Sequence, residues 1–161
     1  MQYKSQMKNI VLAAASILFC VTVGGISGFL TSDAITSWYV GIQKPLWNPP
    51  NWIFGPIWTL LYILMGCSLF LILKTAASNK RLALALFLTQ LALNFFWSPI
   101  FFNLHELGWA LLTIVALWGL IIITIFAFAT IHKTAAWLLV PYVCWVSFAA
   151  LLNLSIWQLN H

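Results

Sequence analysis

The chain has 161 residues, of which 63% are hydrophobic and 6% charged, with a formal net charge of +5 and a mean hydropathy of +1.01. These values lie outside the range of soluble globular chains and point to a polytopic membrane protein whose scattered basic residues form no stripe that would engage nucleic acid. A spanning helix needs about 20 apolar residues; five such segments fit and use up nearly the whole chain, so no soluble domain is expected.

The expected architecture is an all-α membrane protein, one integral-membrane domain over residues 1–161. Its five transmembrane helices run at about 10–30, 52–73, 82–103, 107–131 and 135–157, with a long first loop acting as a lid. The first apolar run follows Lys4 and Lys8, as in a signal peptide, but exceeds the 7 to 15 residues of such a region and is read as a retained helix. Its Gly24 and Gly28 form a GxxxG pattern that lets two backbones approach, either between two copies or within one chain.

From Thr31 to Asn51 the chain leaves the bilayer. The segment Trp47-Asn48-Pro49-Pro50-Asn51-Trp52 pairs two prolines, which fix an extended backbone and hold two indoles above the second helix; Trp47, Pro49 and Pro50 are expected to contact a ligand there. Pro56 follows within the first helical turn, where it is tolerated. Pro99 and Pro141 lie deeper, and each should kink its helix by freeing a carbonyl one turn earlier.

Polar groups at membrane depth are amides and indoles at helical spacing. On the third helix Gln90, Asn94, Trp97 and Phe101 share one face, on the second Trp58, Tyr62 and Gly66, and on the fifth Trp145, Ala149 and Asn153. Converging, these faces would enclose a cavity with stacking walls, neutral hydrogen-bonding groups and little charge. The alternative is that the amides join helices while the indoles anchor at the two interfaces.

What the spans lack narrows the function. Asp33 and Glu106 are the only acids, and His105, His132 and His161 fall in turns or at the end. Pumps and ion-coupled transporters place ionisable groups at membrane depth, and hydrolases need an acid and base pair, so both classes are disfavoured. Cys20, Cys67 and Cys144 have no His or carboxylate beside them to make a metal site. Lys4, Lys8, Lys74, Lys80, Arg81 and Lys133 lie on the N-terminal side of a five-span topology and Lys44 alone on the other. That bias puts the N-terminus in the cytoplasm.

The stretches KPLWNPPNWIFGPIWTLLY (44–62), QLALNFFWSPIFFNLHELGW (90–109) and PYVCWVSFAALLNLSIW (141–157), in this order across four of the five helices, resemble the translocator protein family, also called peripheral benzodiazepine receptors or tryptophan-rich sensory proteins. The resemblance implies a five-helix bundle, often a homodimer, whose pocket binds porphyrins and related tetrapyrroles, sterols in mitochondrial members, and isoquinoline and benzodiazepine drugs. Carried over by position, its pocket residues correspond to Trp58, Tyr62, Asn94, Trp97, Trp109, Trp145, Ala149 and Asn153. In some bacterial relatives the tryptophans matching Trp58 and Trp145 are implicated in light-dependent porphyrin breakdown. Animal members carry a cholesterol-recognition stretch late in the fifth helix, with a tyrosine and a basic residue after a leucine; here Leu152 and Asn153 are followed by Leu154 and, in the basic place, Gln158. This departure weakens a steroid role without excluding sterol contact.

The expected function is therefore that of a membrane receptor for porphyrin or haem and similar flat apolar molecules, regulating or transporting them, in a bacterial cytoplasmic or outer membrane. Alternatives are a light-dependent porphyrin-degrading catalyst using Trp58 and Trp145, and a facilitative lipid, sterol or tetrapyrrole transporter. No required cofactor and no metal are expected. Lys44 is expected to meet the propionates of a bound porphyrin.

Overall fold

The computed structural model describes residues 2–161, and among these the regular structure is helical, with no strand. Helix α1 spans Gln2–Thr36, α2 Trp38–Gly41, α3 Phe54–Lys74, α4 Lys80–Phe102, α5 Leu107–Ala129, α6 Lys133–Leu138 and α7 Val140–Leu159; a 3-10 turn at Asn51–Ile53 leads into α3. Five stretches are long and apolar enough to cross a membrane: Gln6–Thr36, Asn51–Lys74, Lys80–Phe102, Leu107–Ala129 and Lys133–Leu159, the last formed by α6 and α7 together.

The first helix runs well beyond residues 10–30. The chain turns polar near Thr31, but no proline intervenes before Pro45, and polarity alone does not stop a helix. Hydroxyls bond back to the preceding turn instead: Thr31 Oγ1 to the Ser27 carbonyl at 3.0 Å, Ser32 Oγ to Phe29 at 2.8 Å and Thr36 Oγ1 to Asp33 at 3.1 Å.

The five spans close into a ring. Helix α1 packs between α3 and α4, α4 on α5, α5 on α6 and α7, and α6 back on α3. Contact between α1 and α3 is backbone-close at Gly66, where an added Cβ would lie 2.5 Å from the Ile17 Cα. At Gly24 it would overlap the Tyr62 ring at 2.1 Å. Gly24 is thus used inside the subunit, against Tyr62, while Gly28 has nothing within 4 Å of the same probe position.

Both prolines act on the ring, by different means. Pro99 leaves α4 continuous to Phe102; lacking an N–H, it cannot bond the Phe95 carbonyl, and the Ser27 hydroxyl of α1 donates to that oxygen at 3.0 Å. Pro141 breaks rather than kinks the last span, since α6 ends at Leu138 and α7 restarts at Val140 with the proline in its first turn. The Ser68 hydroxyl of α3 donates to the Ala135 carbonyl beside this break at 2.7 Å. Segment five is therefore held to α3 through α6, and α7 departs from it, leaving space between them.

Candidate functional site

That space is a cavity of about 370 Å³ in the half of the bundle beneath the first loop. Four helices and the loop supply its walls. Helix α3 contributes Phe54, Trp58 and Tyr62; α4 contributes Asn94, Trp97, Ser98, Phe101 and Phe102; α7 contributes Trp145, Ala149, Leu152, Asn153 and Ile156. Helix α1 supplies Val21, Gly24, Gly25, Ser27, Gly28, Thr31 and Ile35, with Tyr39 of α2 and Asn51 at the loop end. No charged side chain lies among them.

Aromatic rings set the shape. The Trp58 ring lies 5.8 Å from Tyr62 and meets Tyr142 edge-on at 6.3 Å. Trp145 leans on Phe148 at 5.2 Å and on the edge of Phe54 at 5.9 Å, and Trp97 tilts on Phe101 at 5.4 Å. Ring pairs at these spacings are worth about 0.5–1.5 kcal/mol each beyond their burial, so the walls are held in place without a ligand.

Buried amides lock the same rings. Asn94 Nδ2 donates to the Tyr142 hydroxyl at 2.8 Å, which donates on to Gln90 Oε1 at 2.9 Å. The Trp97 indole donates to Asn153 Oδ1 at 3.1 Å, and Asn153 Nδ2 donates to the Leu107 carbonyl at 3.0 Å. Joining helices and walling a cavity are thus one arrangement. Among the described residues two buried donors remain unpaired, Gln90 Nε2 and Trp145 Nε1, and of these only Trp145 lines the cavity.

The loop closes the end of the bundle. Tyr39, 4% exposed, packs against Phe101 and Phe102 and donates to Asn48 Oδ1 at 2.9 Å. Trp38 stacks on His105 at 4.2 Å, and Trp47 meets the edge of Phe148 at 5.6 Å. Gln43 and Asn160 exchange two hydrogen bonds, Gln43 N–H to Asn160 Oδ1 at 3.0 Å and Asn160 Nδ2 to the Gln43 carbonyl at 2.8 Å.

Seven of the eleven residues expected to contact a ligand meet at the cavity: Trp58, Tyr62, Asn94, Trp97, Trp145, Ala149 and Asn153. Trp109 does not. The buried stripe of α5 is Leu107, Ala110, Ile114, Leu117, Ile121, Thr124 and Phe128; two residues on from Leu107, Trp109 is turned about 200° away, is 66% exposed and lines a separate groove beside Trp157. Trp47, Pro49 and Pro50 also stay off the cavity wall. Pro50 is extended and leads into the 3-10 turn at Asn51–Ile53, and the Trp47 ring packs edge-on against Phe148.

Lys44 does not face the cavity either. Its ammonium donates to the carbonyls of Tyr39 and of Ile42 at 3.1 Å and sits 4.7 Å from the Tyr39 ring centre. The free carbonyls ending a helix attract a cation, and those of α2 are within its reach.

Of the ten tryptophans, three wall the cavity. Trp47, Trp52, Trp109, Trp118 and Trp137 are exposed, the distribution of interface and lipid-facing anchors.

The sequence reading missed the contribution of α1. Ser16, Cys20, Ser27 and Thr31 are its buried residues in the membrane, spaced with Gly24 at i, i+4, i+8, i+11 and i+15, the same helical period that marked α4. Tyr142, wholly buried between the two amides of α4, carried no signal of its own.

Five apolar spans bundled around a neutral, aromatic-walled cavity define an integral multi-pass membrane protein. The chain belongs to the TspO/MBR family, whose sequence profile matches residues 16–158. It is 43% identical to the tryptophan-rich protein TspO of Chlorobaculum tepidum over 95% of this chain and 98% of that one. It is 42% identical to the protein of the same name from Archaeoglobus fulgidus, over 94% and 99%, and 41% identical to the human translocator protein over 77% and 75%.

Proposed function

We propose that this protein is a membrane receptor for porphyrins and related flat apolar molecules, holding the ring system between Trp58, Trp97, Trp145 and Tyr62. The observation that carries this reading is the uncharged cavity of about 370 Å³, within the size range of small-molecule sites. Indoles offer polarisable faces that aliphatic side chains do not. The unpaired Trp145 N–H supplies a donor; leaving it unbonded costs about 1–3 kcal/mol, which an acceptor atom on the ligand would recover.

The absence of charge also orients the ligand. A carboxylate buried without a cation costs several kcal/mol, and Lys44 is occupied at α2. A porphyrin would seat its apolar edge inward and keep its propionates at the rim. Six basic residues on the N-terminal side against one on the loop side support a cytoplasmic N-terminus with the loop on the far side, in a bacterial cytoplasmic or outer membrane.

The test is an absorbance time course of protoporphyrin bound to purified protein, in darkness and in light. Saturable binding with the spectrum intact in both conditions is the result expected of a receptor. Bleaching in light that disappears in Trp58→Phe or Trp145→Phe would make it a photochemical catalyst instead, and no saturable binding would remove the reading.

A further inference from the structure

The cavity has three boundaries that a ligand could cross, and they are built differently. The loop boundary is fastened at four places: Tyr39 to Asn48, Trp38 on His105, Trp47 on Phe148, and the doubled Gln43 to Asn160 bond. The flank between α3 and α7 is shut by Phe54 against Trp145. Between the loop-side turns of α1 and α3, among the described residues, no ring pair or hydrogen bond bridges the two helices. Gly25, Gly28, Gly55 and Thr59 line the cavity and are exposed as well, and a Cβ placed at any of the three glycines meets nothing within 4 Å.

The same two helices touch about one turn away, at Gly24 on Tyr62, and again about two to three turns away, at Gly66 on Ile17. No such close approach occurs at Gly25, Gly28 or Gly55 on the loop side. Gly28 lies eight residues inside the end of α1, about 12 Å at 1.5 Å per residue, so the gap opens sideways from a spanning segment and below the loop.

We infer that ligand reaches the cavity from the lipid, through a lateral portal between α1 and α3 edged by Gly25, Gly28, Gly55 and Thr59, and that the loop stays closed during exchange. The substrate class is then a membrane-dissolved amphiphile that slides in edge first with its polar groups trailing at the bilayer surface. Glycine at the portal leaves passage without side chains to displace, which a close helix contact alone does not require. The inference rests on the proposed binding function and adds the route.

The experiment measures association and release of protoporphyrin by stopped-flow quenching of tryptophan fluorescence, with the protein in phosphatidylcholine nanodiscs. Gly28→Phe and Thr59→Phe narrow the portal from opposite sides, and Asn160→Ala removes both bonds that fasten the loop to α7. Helicity by circular dichroism shows which variants fold, and the two portal variants stand in for each other.

The expected result is association slowed about tenfold or more in the portal variants, within the one to three decades over which on-rates vary between mutants. Release into excess empty vesicles slows with it, and Asn160→Ala exchanges at the wild-type rate. Unchanged association in the portal variants, faster release from them, or faster exchange in Asn160→Ala overturns the portal. Absent quenching at equilibrium in the wild-type protein overturns the receptor reading itself, a failure separate from one of rate alone.

Discussion

The Trp97 indole N–H donates to the side-chain oxygen of Asn153 at 3.1 Å, and the same Asn153 reaches the Leu107 carbonyl at 3.0 Å. One amide therefore joins α4, α7 and the start of α5 and fixes the angle of a cavity wall. Asn153→Leu leaves the Trp97 donor unpaired at membrane depth, where water does not replace the lost partner. The expected cost is about 1–2 kcal/mol, read as a lowered unfolding midpoint in detergent, with weaker ligand binding because the Trp97 ring is no longer held.

Tyr142→Phe separates two effects. It keeps the ring that Trp58 meets edge-on but removes the hydroxyl linking Asn94 to Gln90. Two buried amides then lose a partner, and stability is expected to fall by about 1–3 kcal/mol. Since Tyr142 lies behind the wall, porphyrin affinity measured below the unfolding transition should change less than in Asn153→Leu.

The glycines of α1 and α3 differ in what they tolerate. Gly66→Ala sets a methyl 2.5 Å from the Ile17 Cα, a backbone clash that only helix separation relieves, and overpacking of this kind costs about 1–3 kcal/mol. Gly28→Ala meets nothing and should leave thermal stability unchanged or slightly raised. Unfolding midpoints of the two variants, measured side by side in one detergent, check this.

Burial pushes the Tyr39 phenol up to about 12 against an ordinary value of 10.0, the Asn48 contact opposing it. An acid whose folded-state pKa is raised contributes stability that is complete below its unfolded pKa and is lost as pH climbs toward the folded one. Loop closure should therefore hold unchanged to about pH 10 and weaken between 10 and 12. Protease susceptibility of the loop as a function of pH follows this, and Tyr39→Phe should abolish the step attributable to this residue.

Much of this arrangement was legible in the sequence because membrane helices must satisfy their own backbone, which makes long apolar runs unambiguous, and because amides at i and i+4 on α4 have few places to go in lipid. The buried face of α1 was harder to see. Its Gly24 and Gly28 read as a generic helix-pairing pattern, and nothing in the spacing says that Gly24 meets Tyr62 while Gly28 borders a void. Trp109 was misplaced for a different reason. A tryptophan near a helix start fits a pocket and an interface anchor equally, and its register against Leu107 decides between them only once the buried stripe of α5 is known. Lys44 shows the same limit: its sequence position next to the loop prolines does not reveal that α2 forms and presents carbonyls to it.

The central claim is that three indoles from separate helices surround the bound ligand while the remaining tryptophans face elsewhere. Titration of protoporphyrin against tryptophan fluorescence in Trp58→Phe, Trp145→Phe and Trp109→Phe, each compared with the unsubstituted protein, tests it most directly. Quenching should weaken or vanish in the first two, whose rings line the cavity, and persist with unchanged affinity in the third, whose ring lies on the separate groove. Equal titration curves in all three would contradict the account.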